Sequence, residues 1–135
     1  MISILLLTHE NFGEAMIHSA KLIIGEFKQV EAFGLNRGDD IGHFSNTIKD
    51  KIKELDDGDG VLVFADLFGA SPYNATAIAS KNINCHYRCI SGFNFPMLLE
   101  AITLRNYEKL DDLTQKCIEA GHSGIKELFN EMQNI

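Results

Sequence analysis

The sequence has few of the features that mark disulfide-stabilised, proline-rich or membrane-spanning proteins. Its 135 residues include 2 prolines and 3 cysteines, and no stretch approaches the roughly 20 consecutive apolar residues that a transmembrane helix needs. An odd number of cysteines without framework spacing is typical of a reducing compartment, so we predict a cytoplasmic protein. The apolar run near the start has no basic leader and soon ends in polar residues, which does not fit a secretory signal peptide.

Basic residues are also scarce, and their scarcity limits the possible partners. Lysine and arginine number 12 against 19 aspartates and glutamates, which gives a formal net charge of -7. A protein that binds the phosphate backbone of nucleic acids needs a basic stripe, so we expect no nucleic-acid partner. The composition is 45% hydrophobic and 23% charged, as in ordinary soluble globular proteins. Without a linker or an internal repeat, it predicts a single domain over residues 1–135.

Short apolar runs alternate with helix-like patterns along the whole chain. Continuous apolar runs indicate strands that are covered on both faces, and they lie at residues 2–7, 30–35, 61–65 and 85–90. Apolar residues at helical spacing predict helices over residues 12–24, 41–55, 97–104 and 110–120, and a further helix that opens at Ser71. This alternation predicts an open three-layer α/β/α fold, with a mainly parallel sheet of four to five strands and helices on both faces.

Helix-start signals precede three of these helices. Asn11 followed by Glu14 resembles a capping box, and Asp39 or Asp40 is placed to cap the second helix. At the third helix, Ser71 is predicted as the cap, with the following proline at the first helical position. We therefore expect side-chain oxygens of these residues to accept hydrogen bonds from backbone N–H groups of the first turns.

Polar residues follow three of the predicted strands, at the edge of the sheet where ligands bind in such folds. Thr8 and His9 end the first strand, Asp66 follows the third, and Ser91 and Gly92 follow the fourth. A carboxylate that accepts one ring N–H of a histidine fixes its tautomer and leaves the other ring nitrogen free as a nucleophile or base. We therefore expect His9 and Asp66 to meet at this edge as candidate catalytic residues.

Beyond Asp66 the chain runs through Gly69, Ala70 and Ser71 into a helix start. Backbone N–H groups at a helix N-terminus form an anion site. A nucleophilic imidazole that faces such a site suits phosphoryl transfer, which depends mainly on positioning and charge stabilisation. Each residue alone has a simpler explanation: a structural hydrogen bond for His9, a turn for Asp66 and a helix cap for Ser71. Their combination at one edge favours a functional site.

Other motifs in the chain are weaker. The segment that begins at Gly69 resembles a nucleophile elbow, but Pro72 follows its serine and Tyr73 replaces its closing glycine, so a serine hydrolase is not favoured. Cys85 and Cys89 share one face of a strand without a second cluster to complete a zinc site, which indicates core cysteines. No glycine motif for a nucleotide phosphate is present, so we expect neither a cofactor nor a metal.

Four segments of the chain, taken together, are similar to one known family. They are "LLLTHENFGEAM" near the start, "LIIGE" at the end of the first helix, "DDGDGVLVFADLFGASPYNAT" in the middle and "ISGFNFPMLLEA" beyond it. With these segments the sequence closely resembles, over essentially its whole length, the IIA component of the mannose-family (mannose/fructose/sorbose) sugar phosphotransferase system (PTS).

The resemblance implies a phosphoryl carrier. The histidine that matches His9 accepts a phosphoryl group from the histidine-containing phosphocarrier protein HPr and donates it to the IIB component, which phosphorylates the sugar as the membrane components IIC and IID import it. Asp66 matches the carboxylate that orients this histidine. The positions that match the phosphate-binding groups are Thr8, Gly69, Ala70 and Ser71.

The resemblance also implies a homodimer, in some members with an exchanged C-terminal edge strand, which is antiparallel to the rest of the sheet. The helix predicted over residues 97–104 is apolar nearly all round, which favours a dimer interface over burial within one subunit. The tail "GIKELFNEMQNI" has helical propensity, whereas the family comparison allows an exchanged strand in its first half.

The sequence departs from the family pattern at three positions. Glu10 replaces the glycine after the histidine, Ala70 replaces the second glycine of Gly-Gly-Ser-Pro, and Phe93 replaces the valine of Gly-Val-Asn. A carboxylate beside a phosphohistidine repels it, so we predict that the Glu10 side chain turns to solvent, toward the start of the helix.

Two other functions stay open at this point. One is the phosphoryl donor domain of the dihydroxyacetone kinase system, which shares the fold and the histidine. The other is an inactive flavodoxin-like regulatory module, for which Glu10 is the only indication in the sequence.

Overall fold

The computed structural model, which describes residues 1–67, 70–80 and 86–133, contains one parallel sheet in these residues. Its strands are β1 (Ser3–His9), β2 (Val30–Leu35), β3 (Val61–Ala65) and β4 (Tyr87–Ile90). Their order across the sheet is β2-β1-β3-β4. The predicted α/β fold with a parallel sheet is confirmed. The predicted start of the fourth strand, Cys85, lies outside the described residues.

Helices cover both faces of this sheet. They are α1 (Phe12–Ile24), α2 (Ile41–Leu55), α3 (Ser71–Ala79), α4 (Phe95–Leu104), α5 (Leu110–Ser123) and α6 (Leu128–Gln133). Because successive side chains of a strand point to opposite faces, Ile4 and Leu6 join the core beneath α1, α4 and α5, whereas Leu5 and Leu7 join the core beneath α2 and α3. This double coverage explains why β1 is a continuous apolar run. In the part of the chain that the structure describes, no helix has both the length and the apolar character to cross a membrane.

The strand order positions the candidate site. In the parallel pairing of β1 with β3, Leu7 lies opposite Ala65, so the residues that follow these two positions leave the sheet side by side. On the other side of β1, His9 lies opposite Leu35 at the end of β2. The loops that follow β2 and β3 therefore flank the end of β1.

Two predicted helix caps are wrong in detail. Helix α1 begins after Asn11 as predicted, but Asn11 makes no side-chain capping bond, because its φ of -90° and ψ of 15° lie outside the extended region from which a cap reaches back. The N–H of Gly13 instead donates to Thr8 Oγ1 at 3.0 Å. Helix α3 has Ala70 at the cap position, so Ser71 lies within its first turn.

Helix α4 packs one face against its own chain. Its inner residues Met97, Leu98, Ala101 and Ile102 are buried, and the helix packs against α5 and α1. Packing within the subunit thus explains the apolar residues on the inner face of α4, whereas on the outer face Thr103 is exposed and Leu99 is half-buried. The dimer interface at α4 stays a prediction. Within the tail, residues Leu128–Gln133 form α6, a helix without buried residues, and the exchanged edge strand of a dimer stays a prediction.

A close backbone contact joins the loop after β1 to the end of β2. The N–H of Glu10 donates to the carbonyl oxygen of Leu35 at 2.9 Å, and a Cβ on Gly34 would lie 1.8 Å from the carbonyl oxygen of Glu10. Glu10 adopts a φ of 49°, a left-handed conformation that costs a residue with a Cβ about 1–2 kcal/mol. The contact thus requires glycine at position 34 and strains the residue next to His9.

Replacing Glu10 by glycine should stabilise the fold. Glycine relieves the left-handed strain, and after its greater loss of chain entropy on folding we expect the free energy of unfolding to rise by about 1 kcal/mol. Glu10→Ala is the matched control, since it removes the same side chain but keeps the Cβ. Urea denaturation checks both variants, and an equal gain in Glu10→Ala would show that charge, rather than strain, is responsible.

Replacing Gly34 by alanine should destabilise the fold. The new methyl group meets the Glu10 carbonyl, which sits on backbone that cannot easily move, so we expect a loss of about 2–3 kcal/mol. The control is Gly42→Ala in α2, where the nearest atom to an added Cβ is Asp40 Oδ2 at 3.6 Å. Thermal and urea denaturation should separate the two variants, and equal stabilities would contradict the close approach.

Candidate active site

The ends of β1 and β3 bring His9 and Asp66 into direct contact. The distance from His9 Nδ1 to Asp66 Oδ2 is 2.8 Å, and the backbone N–H of His9 donates to the same oxygen at 2.9 Å. A carboxylate can only accept hydrogen bonds, so this contact keeps the ring proton on Nδ1. The lone pair of the neutral ring is then on Nε2, the nitrogen farther from the acid.

The two partners differ sharply in exposure. The side chain of His9 is 47% exposed, whereas that of Asp66 is 9% exposed. Asp66 Oδ1 is buried and has no hydrogen-bond partner among the described residues. The ring is therefore accessible to a reacting group from solvent, while the acid that orients it is shielded.

Thr8 lies at the end of β1 with its side chain turned inward. It is 1% exposed, and its hydroxyl accepts from the N–H of Gly13 at 3.0 Å and donates to the carbonyl of Glu10 at 3.5 Å. The Thr8 hydroxyl thus connects the end of β1 with the start of α1, across the loop that begins at His9. Thr8 is not among the described residues that line the cavity beside His9.

An open cavity of about 380 Å³ lies against His9. Its described lining residues come from the ends of β1 and β2 and from the first turn of α3: His9, Glu10, Leu35, Asn36, Arg37 and Ser71. The positive end of the α3 dipole therefore adjoins the imidazole. Asn36 and Arg37 were missed by the sequence reasoning, although they directly follow a strand that ends at this edge.

The start of α3 holds the remaining predicted phosphate-binding residues. Ala70 has a φ of -79° and a ψ of 173°, which any residue with a Cβ adopts, so the replacement of the family glycine introduces no strain there. Ser71 lines the cavity, and its hydroxyl has no hydrogen bond to another described residue. Gly69 lies outside the described residues.

The Glu10 side chain is exposed and lines the same cavity. Its carboxylate has no hydrogen bond or ion pair with another described residue, including those at the start of α1. The exposure agrees with the predicted orientation toward solvent. The site therefore has two acidic residues near the ring, Asp66 beneath it and Glu10 at the cavity wall.

The cysteines and the possibility of a metal site have less support than the histidine site. Burial raises the pKa of the Cys89 thiol to about 12 and that of Cys117 to about 12, so both are protonated and poor ligands at neutral pH. Cys85 lies outside the described residues. Within residues 1–67, 70–80 and 86–133, no three histidine, cysteine or acidic side chains are grouped to hold a metal ion.

A larger cavity of about 690 Å³ lies at the opposite edge of the sheet, beside Met1 and Arg105.

Known proteins share both the sequence pattern and the fold. The family model described as "PTS system fructose IIA component" matches residues 3–118. The mannose-specific EIIAB component of the PTS from Escherichia coli (strain K12) is 30% identical over 130 residues, which is 94% of this chain and 39% of that protein. The chain thus spans about two fifths of the length of that relative. The fructose-specific EIIA component from Bacillus subtilis (strain 168) is 32% identical over 115 residues, covering 84% of this chain and 77% of that protein.

The fold comparison agrees with the sequence comparison. The crystal structure of phosphotransferase system component EIIA from Streptococcus agalactiae superposes with a TM-score of 0.86 at 29% identity, covering 96% of this chain and 99% of that one. The family match extends over most of the chain, including both β1 with His9 and β3 with Asp66. The chain therefore belongs to the PTS IIA family, whose relatives here are mannose- and fructose-specific components.

Proposed function

We propose that the protein is a phosphoryl carrier of a sugar PTS, and that Nε2 of His9 carries the phosphoryl group. The observation that carries this proposal is the convergence of His9 Nδ1 and the His9 backbone N–H on one oxygen of Asp66, at 2.8 Å and 2.9 Å. Because both groups are held by the same atom, the position of the ring and its tautomer are fixed together. A fixed lone pair next to an open cavity suits attack on phosphorus.

The transfer step needs only the two imidazoles and the phosphoryl group. The Nε2 lone pair of His9 forms a bond to phosphorus as the bond from phosphorus to the donor nitrogen breaks, and the donor nitrogen recovers that electron pair. His9 keeps its Nδ1 proton, so the phosphorylated ring carries a positive charge. Asp66 stabilises that charge through the hydrogen bond to Nδ1. Delivery to the acceptor reverses the same step, with no cofactor or metal.

The start of α3 supports the phosphate-binding part of the proposal. Ser71 lines the cavity, and its hydroxyl is available to donate to a phosphoryl oxygen. The backbone N–H of Ser71 lies at the positive end of the α3 dipole, which favours an anion. The N–H of Ala70 donates to the carbonyl of Leu67 at 3.4 Å, and we include Ala70 and Gly69 in the same proposed phosphate-binding group. The hydroxyl of Thr8 already bonds the start of α1, so we assign Thr8 the role of holding the backbone around the phosphohistidine.

The proposed partners are other components of the same system. We propose that the protein accepts its phosphoryl group from HPr and donates it to a IIB component, and that it serves the membrane components IIC and IID indirectly. We also propose a homodimer in the cytoplasm. The exposed apolar residues of α6, Leu128, Phe129 and Met132, support a surface for a second subunit.

Phosphorylation should require His9. Incubated with phosphoenolpyruvate, the general phosphotransferase enzyme and HPr, the protein should gain one acid-labile phosphate, detected by peptide mass spectrometry at His9. His9→Ala removes the imidazole that contacts Asp66 and should abolish the label, whereas His18→Ala on the exposed face of α1 should keep it. A label at another residue would reject the site, and an unlabelled wild-type protein would favour the inactive module.

The orienting role of Asp66 can be tested separately. Asp66→Asn should preserve the fold but slow phosphorylation by at least about a hundredfold, because an amide can donate to Nδ1 and so select the wrong tautomer. Asp50→Asn on the exposed side of α2 is the control and should transfer at the wild-type rate. Rapid-quench kinetics with phosphorylated HPr measure both variants. Equal rates for Asp66→Asn and the wild type would refute the orienting role.

A further inference from the structure

The cavity beside His9 contains one cationic side chain that the known chemistry does not use. Among the described residues that line it, Arg37 is the only lysine or arginine. Its guanidinium has no hydrogen bond or ion pair with another described residue, although the chain carries a formal net charge of -7. An unpaired arginine in so acidic a protein, next to a nucleophilic histidine, indicates a binding role.

Arg37 lies in a closed turn. The N–H of Asp39 donates to the carbonyl of Asn36 at 3.1 Å, and the N–H of Asn36 donates to Asp39 Oδ2 at 2.7 Å. Gly38, the third residue of this turn, has a φ of 88°, as a type II turn requires. The turn thus has hydrogen bonds in both directions, which restricts the path of the backbone at Arg37.

The neighbouring acids, Asp39 and Asp40, form no ion pair with Arg37. Asp39 accepts from the backbone of the turn, and Asp40 caps α2 by accepting from the N–H groups of Gly42 and His43, both at 3.3 Å. Both carboxylates are therefore bound to backbone amides. This leaves the guanidinium of Arg37 available to a ligand in the cavity.

The turn is also tied to the loop that carries the imidazole. The carbonyl of Leu35, two residues before Arg37, accepts from the N–H of Glu10, the residue after His9. The close approach of Gly34 to the carbonyl of Glu10 adds a second backbone contact. Two consecutive residues of β2 thus hold the His9 loop and the Arg37 turn in a fixed relation.

A phosphoryl group on His9 would be repelled by the carboxylates at the cavity, and a cation there would offset this repulsion. A phosphoryl group adds about 1.5 to 2 negative charges near neutral pH, close to the carboxylates of Glu10 and Asp66. Glu10 lines the cavity, its carboxylate pairs with no other described residue, and its charge repels the phosphoryl group. Arginine presents planar, bidentate N–H donors that match phosphoryl oxygens.

We propose that Arg37 binds the phosphoryl group on His9 and offsets the repulsion from Glu10. This inference rests on the proposed carrier function and adds a phosphate-binding residue from the loop after β2. Arg37 stabilises both the phosphorylated state and the charge that develops on the equatorial oxygens during transfer.

A small-molecule phosphoryl donor can show whether Arg37 contacts the phosphoryl group itself or the partner protein that delivers it. Potassium phosphoramidate phosphorylates histidine directly: Nε2 bonds to phosphorus while the bond from phosphorus to the amine nitrogen breaks, and ammonia leaves. With this donor, Arg37→Gln should phosphorylate His9 about tenfold more slowly than the wild type, and Arg37→Lys should fall between them. Arg88→Gln is the control, because it removes the same charge from the exposed start of β4, and it should react at the wild-type rate.

Phosphorus NMR of the phosphorylated proteins gives a second readout. Removal of the guanidinium should raise the pKa of the phosphoryl group, because the dianion loses a nearby positive charge. Glu10→Gln combined with Arg37→Gln should recover part of the lost rate, since it removes the repulsion that Arg37 offsets. Melting temperatures within about 2 °C of the wild type would show that the variants are folded.

The outcomes distinguish this inference from the function on which it rests. If Arg37→Gln matches the wild type with phosphoramidate and in the NMR titration, the role of Arg37 is wrong while the carrier function stands. Slowing with HPr but not with phosphoramidate would make Arg37 a contact for the donor protein and would also overturn the inference. If the wild-type protein is not phosphorylated on His9 by either donor, the carrier function fails and the inference fails with it.

Discussion

The site depends on the hydrogen bonds that Asp66 Oδ2 makes with His9. One oxygen accepts from both the ring and the backbone of the same residue, at 2.8 Å and 2.9 Å, so the imidazole has little freedom to rotate away. The acid is buried and the ring is half exposed, which separates the group that orients from the group that reacts. This geometry requires β1 and β3 to be neighbours in the sheet, and their fully buried side chains on both faces hold them together.

Around this pair, the site is built from backbone contacts rather than from a network of side chains. Glu10 adopts a left-handed conformation against Gly34, and Thr8 uses its hydroxyl to fix the start of α1. These contacts keep the ends of β1 and β2 in place while the side chains of Glu10, Arg37 and Ser71 remain available at the cavity. Strain at a residue beside a reactive group is common in functional sites, where the surrounding structure maintains it.

Exposed apolar surface bears on how subunits of the proposed dimer would associate. Helix α4 buries its inner face against α1 and α5, while on its outer face Thr103 is exposed and Leu99 is half-buried. Exposed apolar side chains also lie on α6 and at the end of α1, where Leu22 is 91% exposed. A second subunit in the proposed dimer therefore has candidate contact surfaces on α6, at the end of α1 and on the outer face of α4.

The sequence by itself determined the four parallel strands, the helices on both faces and the residues that end β1 and β3, because apolar periodicity and breaker residues are local signals. It also indicated that His9 and Asp66 share one edge, since parallel strands end together. Only the tertiary structure decided that the Thr8 hydroxyl, rather than the Asn11 side chain, accepts from an N–H of the first turn of α1, because a capping bond depends on the dihedral angles of Asn11. It alone decided which helices pack against the inner face of α4 and the place of Arg37 at the cavity, because packing partners and the path of a turn depend on contacts between segments that are distant in the chain.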